Sequence, residues 1–201
     1  MDRSATFRRV FHVISPVFLA YYLLPETITP NITRLSLTVL FIGTAGCVEI
    51  ARIALGLKLF GMRPYEGQRV SAYAQGLLGL AIGIFLVPLF VAKLSLAESI
   101  VVPVFFGMAW IDPLRSICRR KKWPVVLPIT AYAILFFAAQ SLVGGVPSWI
   151  ARIVYTGVAT VVAMSVEGPR IPQVDDDLMM QILPMAALVV AMAVLPATGL
   201  P

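Results

Sequence analysis

Asp112 closes an apolar run, Val104 to Ile111, and is followed by Pro113, Arg115 and the basic run Arg119-Arg120-Lys121-Lys122. A carboxylate at a membrane edge with cations behind it has the parts needed to hold Mg2+ while the cations grip nucleotide phosphates. The same residues allow a plainer reading: Asp112 caps a short helix that follows, and the basic run anchors a loop. An ionisable group costs about 2.5–3.5 kcal/mol at the centre of a membrane helix and less at its edge, which weighs toward function for Asp112. A second group is Asp175-Asp176-Asp177, which follows Glu167 after a short loop containing Gly168, Pro169 and Pro172. Three adjacent carboxylates repel one another unless a divalent cation or basic side chains lie close by. One Asp suffices to cap the helix that follows; three fit metal or nucleotide binding.

Three smaller constellations accompany these. Glu49 and Arg52 stand one helical turn apart, suited either to neutralise each other or to leave one of them facing a polar cavity. Arg63, Glu66 and Arg69 repeat a three-residue spacing, which puts them on one face if the segment is helical, with Pro64 suited to its first turn; the alternative is a solvated loop. His12, the only histidine, has Arg8 and Arg9 behind it and could relay a proton or bind phosphate, or else turn to water at the interface.

The elements that must position these residues are membrane helices. The chain has 201 residues, the length of one domain (1–201), with 59% hydrophobic residues and only 13% charged. Its mean hydropathy is +0.90. Runs such as 35–57 and 70–92 are long enough to cross about 30 Å of hydrocarbon, and spanning backbone of this kind must be helical. The sequence therefore predicts an all-α polytopic membrane protein with seven spans: 10–24, 35–57, 70–92, 96–111, 124–143, 148–166 and 178–196. The first, kinked by Pro16, is read as retained and not as a cleaved signal, since His12 interrupts it and no small-x-small site follows. Thirteen of the sixteen Lys and Arg residues fall at alternate junctions, against Arg34, Lys93 and Arg152 at the others. That bias places the amino terminus and the charged junctions in the cytoplasm. All but two of the ten acidic residues share that side, so dispersed acids and bases are expected to meet at one face. Gly76, Gly79 and Gly83 favour close helix packing.

Several classes are excluded. No basic run is interleaved with aromatics outside the membrane, so the net charge of +6 is a topology and phosphate signal and not one for nucleic acid. A phosphate-binding Gly-x-x-x-x-Gly-Lys loop and a Gly-x-Ser-x-Gly elbow are both absent. Cys47 and Cys118 need no disulfide and lack zinc spacing. Charges gathered at one face, away from the midplane, argue against a transporter.

Taken in order, the clusters resemble the CTP-dependent polyprenol kinase family: dolichol kinase, phytol kinase and the CTP-using diacylglycerol kinase, with relatives among membrane phosphatidate cytidylyltransferases. Arg8-Arg9-Val10-Phe11-His12 resembles the family's opening Arg-Lys-x-x-His, and Glu49-Ile50-Ala51-Arg52 its Glu-x-x-Arg. Arg63-Pro64-Tyr65-Glu66, followed by Ser71-Ala72-Tyr73 and Gly79, resembles Arg-x-x-Glu and the stretch after it. Asp112-Pro113 with Arg119-Arg120 resembles the Gly-Asp-Pro block, and Glu167 with Asp175-Asp176-Asp177-Leu178 the late Glu and Asp-Asp-Asn-Leu. Ile111 and Arg119 stand where the family has Gly, and Asp177 where it has Asn. The family's Lys-Thr-x-Glu-Gly-Ser segment is missing; Lys121-Lys122-Trp123-Pro124 leads directly into apolar residues.

The resemblance implies a lipid-alcohol kinase using CTP and Mg2+ at the cytoplasmic face. In it, Asp112, Asp175, Asp176 and Asp177 would hold the metal, and Arg63, Arg115, Arg119, Arg120, Lys121 and Lys122 the nucleotide. His12, Glu49, Glu66 and Asp112 would act on the hydroxyl, with Arg52 and Glu167 in structural or site ion pairs. A CDP-lipid-forming cytidylyltransferase and a non-catalytic lipid-binding protein of the same fold are the alternatives.

Overall fold

The computed structural model describes residues 3–62, 66–67, 69–146, 148–166 and 174–195. The chain begins with α1 (Arg3–Ile14), which continues as a 3₁₀ segment (Ser15–Leu23). The change of helix type has a local cause. Pro16 has no N–H to offer the His12 carbonyl, and the Ser15 hydroxyl donates to that oxygen instead, at 2.8 Å. A hairpin of β1 (Thr27–Thr29) and β2 (Ile32–Thr33) then delivers the chain to α2 (Arg34–Ala54). Thr33 starts α2 with a capping box: its Oγ1 accepts from the Ser36 N–H at 3.0 Å while its own N–H donates to Ser36 Oγ at 3.0 Å.

Next come α3 (Ala72–Phe85), α4 (Val87–Phe90), α5 (Leu94–Lys121), α6 (Val126–Val143), α7 (Trp149–Val166) and α8 (Asp176–Val194). Among the described residues, six helical stretches are long and apolar enough to cross a membrane. The protein is an all-α integral membrane protein. The first expected span, 10–24, is instead divided between the end of α1 and the 3₁₀ segment. The third breaks at Leu86, because Pro88 cannot supply the N–H that would bond the Ile84 carbonyl.

The largest departure concerns α5. The apolar run was expected to end a helix at Ile111, yet α5 continues unbroken for 28 residues with Pro103 and Pro113 inside it. Pro103 frees the Ser99 carbonyl, and Gln140 of α6, fully buried, donates its Nε2–H to that oxygen at 3.2 Å. A neighbouring helix thus repairs the defect, as irregular backbone in lipid requires. α5 is the central element: 61% of its apolar window is buried, against 6% for α2, which lies at the periphery. α6 and α8 pack on α5, α7 packs between α6 and α8, and α3 packs against α8. The core is centred on α5 to α8, with Ile100, Val104, Met108, Phe136, Met180 and Leu188 all buried, and it takes in Leu80 and Ile84 of α3.

Candidate functional site

Arg8 and His12 stand four residues apart on α1 and therefore share a face. The last turn of that helix is held against α5 by Trp110, whose Nε1–H donates to the Val13 carbonyl at 3.1 Å. On α5, Asp112, Ser116 and Arg119 recur at helical spacing along one face. Asp112 is thus well inside a helix, about 13 Å before its carboxyl end at 1.5 Å per residue, and does not cap a following one.

The third contributor is the start of α8. Asp175 is its N-cap, with Oδ1 accepting from the Asp177 N–H at 3.3 Å. The Asp175 N–H in turn donates to Gln75 Oε1 at 2.7 Å, so α3 fixes where α8 begins. Asp176 and Asp177 occupy the first turn, where the positive end of the helix dipole favours carboxylates. Asp177 is buried, and its Oδ2 lies 3.4 Å from His12 Nε2.

These side chains border two adjoining cavities. A polar one of about 240 Å³ is lined by Arg8, Arg9, His12, Asp112, Ser116, Arg119 and Asp176. An apolar one of about 330 Å³ reaches from Asp177, His12 and Arg8 past Phe11 and Phe18 to Phe41 of α2 and to Leu77 and Leu80 of α3. Arg8 and His12 line both. The two cavities therefore meet at Arg8 and His12, with Asp177 on the apolar side.

Ligand atoms of His12, Asp112 and Asp177 lie within 4.8 Å of one another, as do those of Asp175, Asp176 and Asp177. Mg2+ takes hard oxygen ligands at 2.0–2.1 Å in an octahedron, which sets opposite ligands about 4.2 Å apart. The carboxylates of Asp112 and Asp177, and those of Asp175, Asp176 and Asp177, suit such an ion by type and spacing. An imidazole nitrogen suits softer metals better, and His12 is placed beside Asp177.

Other residues singled out in the sequence stand elsewhere. Glu49 and Arg52 form a buried two-point ion pair, Nε to Oε2 at 2.9 Å and Nη2 to Oε1 at 2.8 Å. Glu49 Oε1 also accepts from the Ser71 N–H at 2.6 Å. The remaining Arg52 donors reach the carbonyls of Leu57, Glu66, Gly67 and Arg69. Glu49 borders the apolar cavity, and its oxygens are engaged in holding the loop after α2. Glu66 is buried in that loop while Arg69 is exposed, and Glu66 lines neither cavity. Arg115, Arg120, Lys121 and Lys122 line neither cavity either. Arg120 Nε donates to the Ser116 carbonyl of its own helix at 3.4 Å, and Lys121 Nζ sits 5.0 Å from the Trp123 ring centre. Lys122 ends α5 in the left-handed conformation, with φ 55°. Arg63 and Glu167 lie outside the described residues.

Arg9 and Ser116 line the polar cavity without having been assigned a role, and Arg8 lines both cavities. The signal was present: Arg8 is four residues before His12, and Ser116 four after Asp112. No family model matches the chain, and comparison with curated proteins and with solved structures likewise gives no match.

Proposed function

We propose that this protein is a membrane lipid-alcohol kinase that transfers a phosphoryl group from CTP to an isoprenoid or glycerolipid hydroxyl at the cytoplasmic face. The observation that carries the reading is the meeting of a polar, arginine-rimmed cavity with an apolar one at Arg8 and His12. A lipid alcohol needs that geometry: its chain stays in apolar surroundings while its hydroxyl reaches a phosphate. The resemblance supplies CTP as donor, and the excess of Lys and Arg at the charged junctions supplies the side. The first segment is counted as the seventh membrane-crossing element, with the amino terminus inside.

Arg8, Arg9 and Arg119 hold the phosphates through charge-assisted hydrogen bonds. Asp112, Asp175, Asp176 and Asp177 would hold Mg2+, which would neutralise charge on the phosphate oxygens. The lipid hydroxyl oxygen attacks the γ-phosphorus, the bond from that phosphorus to its bridging oxygen breaks, and CDP leaves. His12 takes the hydroxyl proton, and Asp177, 3.4 Å away, stabilises the imidazolium. Catalysis of this kind is mostly positioning and charge stabilisation.

The missing Lys-Thr-x-Glu-Gly-Ser segment favours a second reading, a non-catalytic lipid-binding protein of the same fold. Purified protein incubated with a panel of lipid alcohols, Mg2+ and either CTP or ATP separates the readings by mass spectrometry. Phosphorylated alcohol with CDP is expected. CDP-lipid with pyrophosphate would instead make it a cytidylyltransferase, and no product from folded protein would favour the non-catalytic reading.

A further inference from the structure

The apolar cavity is walled unequally. On the side of α3 and α5, Ala72, Leu80, Phe105 and Met108 line it and are buried. On the side of α2 it is lined by Phe41, Ala45 and Val48, which recur at helical spacing along one face over about 10 Å. Phe41 is nevertheless 47% exposed and Val48 53%. Leu40 and Ile50 of the same helix are exposed too, but they line neither cavity and simply face lipid. Phe41 and Val48 border the cavity and the outer surface at once, so the cavity opens to the side along α2. The surface it reaches belongs to a helix long and apolar enough to span the membrane, where hydrocarbon lies.

The anchoring of α2 suits it to border an opening. At one end Arg34 lies over the Tyr21 ring, 5.1 Å from its centre, and at the other Glu49 binds Arg52 and the Ser71 N–H. Between these ends the Phe41 ring meets that of Phe18 in the 3₁₀ segment, with centres 5.6 Å apart. Size points the same way. Sites that enclose a drug-sized molecule run to about 300–1,000 Å³, and this cavity of about 330 Å³ stands at the low end. The whole chain of a membrane lipid exceeds it.

We infer that the apolar cavity is a side-opening hydrocarbon groove: a long-chain alcohol keeps its first carbons inside, and the rest of its chain passes Ala45, between Phe41 and Val48, into the bilayer. The site takes membrane alcohols whose chains outrun the cavity, and it does not measure their length. From the kinase reading it takes only the placing of the hydroxyl at Arg8 and His12. Carbons beyond the opening lie in hydrocarbon before and after binding, so they add nothing to affinity.

The test measures binding by the full chain in phosphatidylcholine vesicles, with dissociation constants expressed as mole fraction in the membrane. Geranylgeraniol and the much longer solanesol bind alike within about twofold, since only the enclosed carbons change surroundings. A closed cavity would reject the longer alcohol, and binding of solanesol weaker by about tenfold or more overturns the groove. Ala45→Trp puts a ring in the opening and weakens both alcohols by about tenfold or more, whereas Leu40→Trp, the same residue on the lipid-facing side, leaves them within about twofold. Equal loss in both variants, unchanged binding in Ala45→Trp, or a wild type that binds neither alcohol would also overturn it. The comparison of the two alcohols needs no variant, so it decides the matter even should Ala45→Trp fail to fold. Length-independent binding without phosphorylated product removes the kinase reading and leaves the groove standing; product formed by Ala45→Trp at the wild-type rate does the reverse.

Discussion

Two charged groups in this protein are built from the same residue types and arrive at opposite arrangements. In the pair Glu49–Arg52, donors and acceptors match. The guanidinium reaches both carboxylate oxygens and four backbone carbonyls, and the carboxylate takes one further N–H from Ser71. At the junction of α1, α5 and α8, carboxylates instead crowd together, with ligand atoms of Asp112, Asp177 and His12 inside 4.8 Å and Asp175 and Asp176 alongside. A group of ions that satisfy each other holds backbone in place. Like charges gathered beside a cavity repel one another, an arrangement that a bound cation would relieve, and such clusters are candidates for functional sites. The difference lies in which charges are brought together, not in burial, since Arg52 and Asp177 are both buried.

The largest effect expected on breaking this contrast comes from Arg52→Met. It strips a buried carboxylate of its partner and four carbonyls of their donor. Removing one member of a buried pair costs about 3–5 kcal/mol, and unfolding in detergent should show a loss of that size. Glu49→Met combined with Arg52→Met recovers only part of it, because the loop carbonyls stay unpaired. Full recovery would mean that the loop does not depend on the arginine.

Asp112→Asn tests the other member of the comparison. Turnover with CTP should fall by about 10²–10³-fold, as on removal of one preorganised electrostatic group. The unfolding temperature should stay level or rise, since one like charge leaves the cluster. A variant that unfolds readily while the remaining folded protein turns over normally would make Asp112 structural and erase the contrast. Next in size is His12→Gln, for which a fall of about 10²-fold in kcat is expected with little change in the KM for CTP. An unchanged kcat would leave His12 as packing between the cavities.

Much of the frame was legible because lipid imposes it. Apolar length marks the spans, and alternate junctions must share a side. That is why His12, Asp112 and Asp177, far apart in the chain, could be expected together. The course of α5 was not legible. Asp112-Pro113 looks like a helix end, yet only the apolar run stops there and the helix continues to Lys121. Proline in a membrane helix is tolerable when a neighbour meets the freed carbonyl, and Gln140 on Ser99 is a tertiary fact that a local window cannot contain. The burial of Glu66 was hidden too, since it depends on Arg52 gathering the loop carbonyls.

The smallest effect separates neighbours within the basic run. Arg119 and Arg120 are both exposed, but only Arg119 borders the polar cavity, while Arg120 folds back on the Ser116 carbonyl. If phosphate is held in that cavity, Arg119→Gln raises the KM for CTP by about tenfold with kcat nearly constant, the size of one lost charge-assisted hydrogen bond at a wet rim. Arg120→Gln shifts KM by less than about twofold, as expected of an exposed charge that bonds only its own helix. Raising salt should narrow the gap between the variants, because rim charges act through screened attraction. Equal changes in both variants would mean that the run draws in nucleotide by its total charge alone. Its arginines and lysines would then belong with the membrane anchors, and the polar cavity would be left with Arg8 and Arg9 as its phosphate ligands.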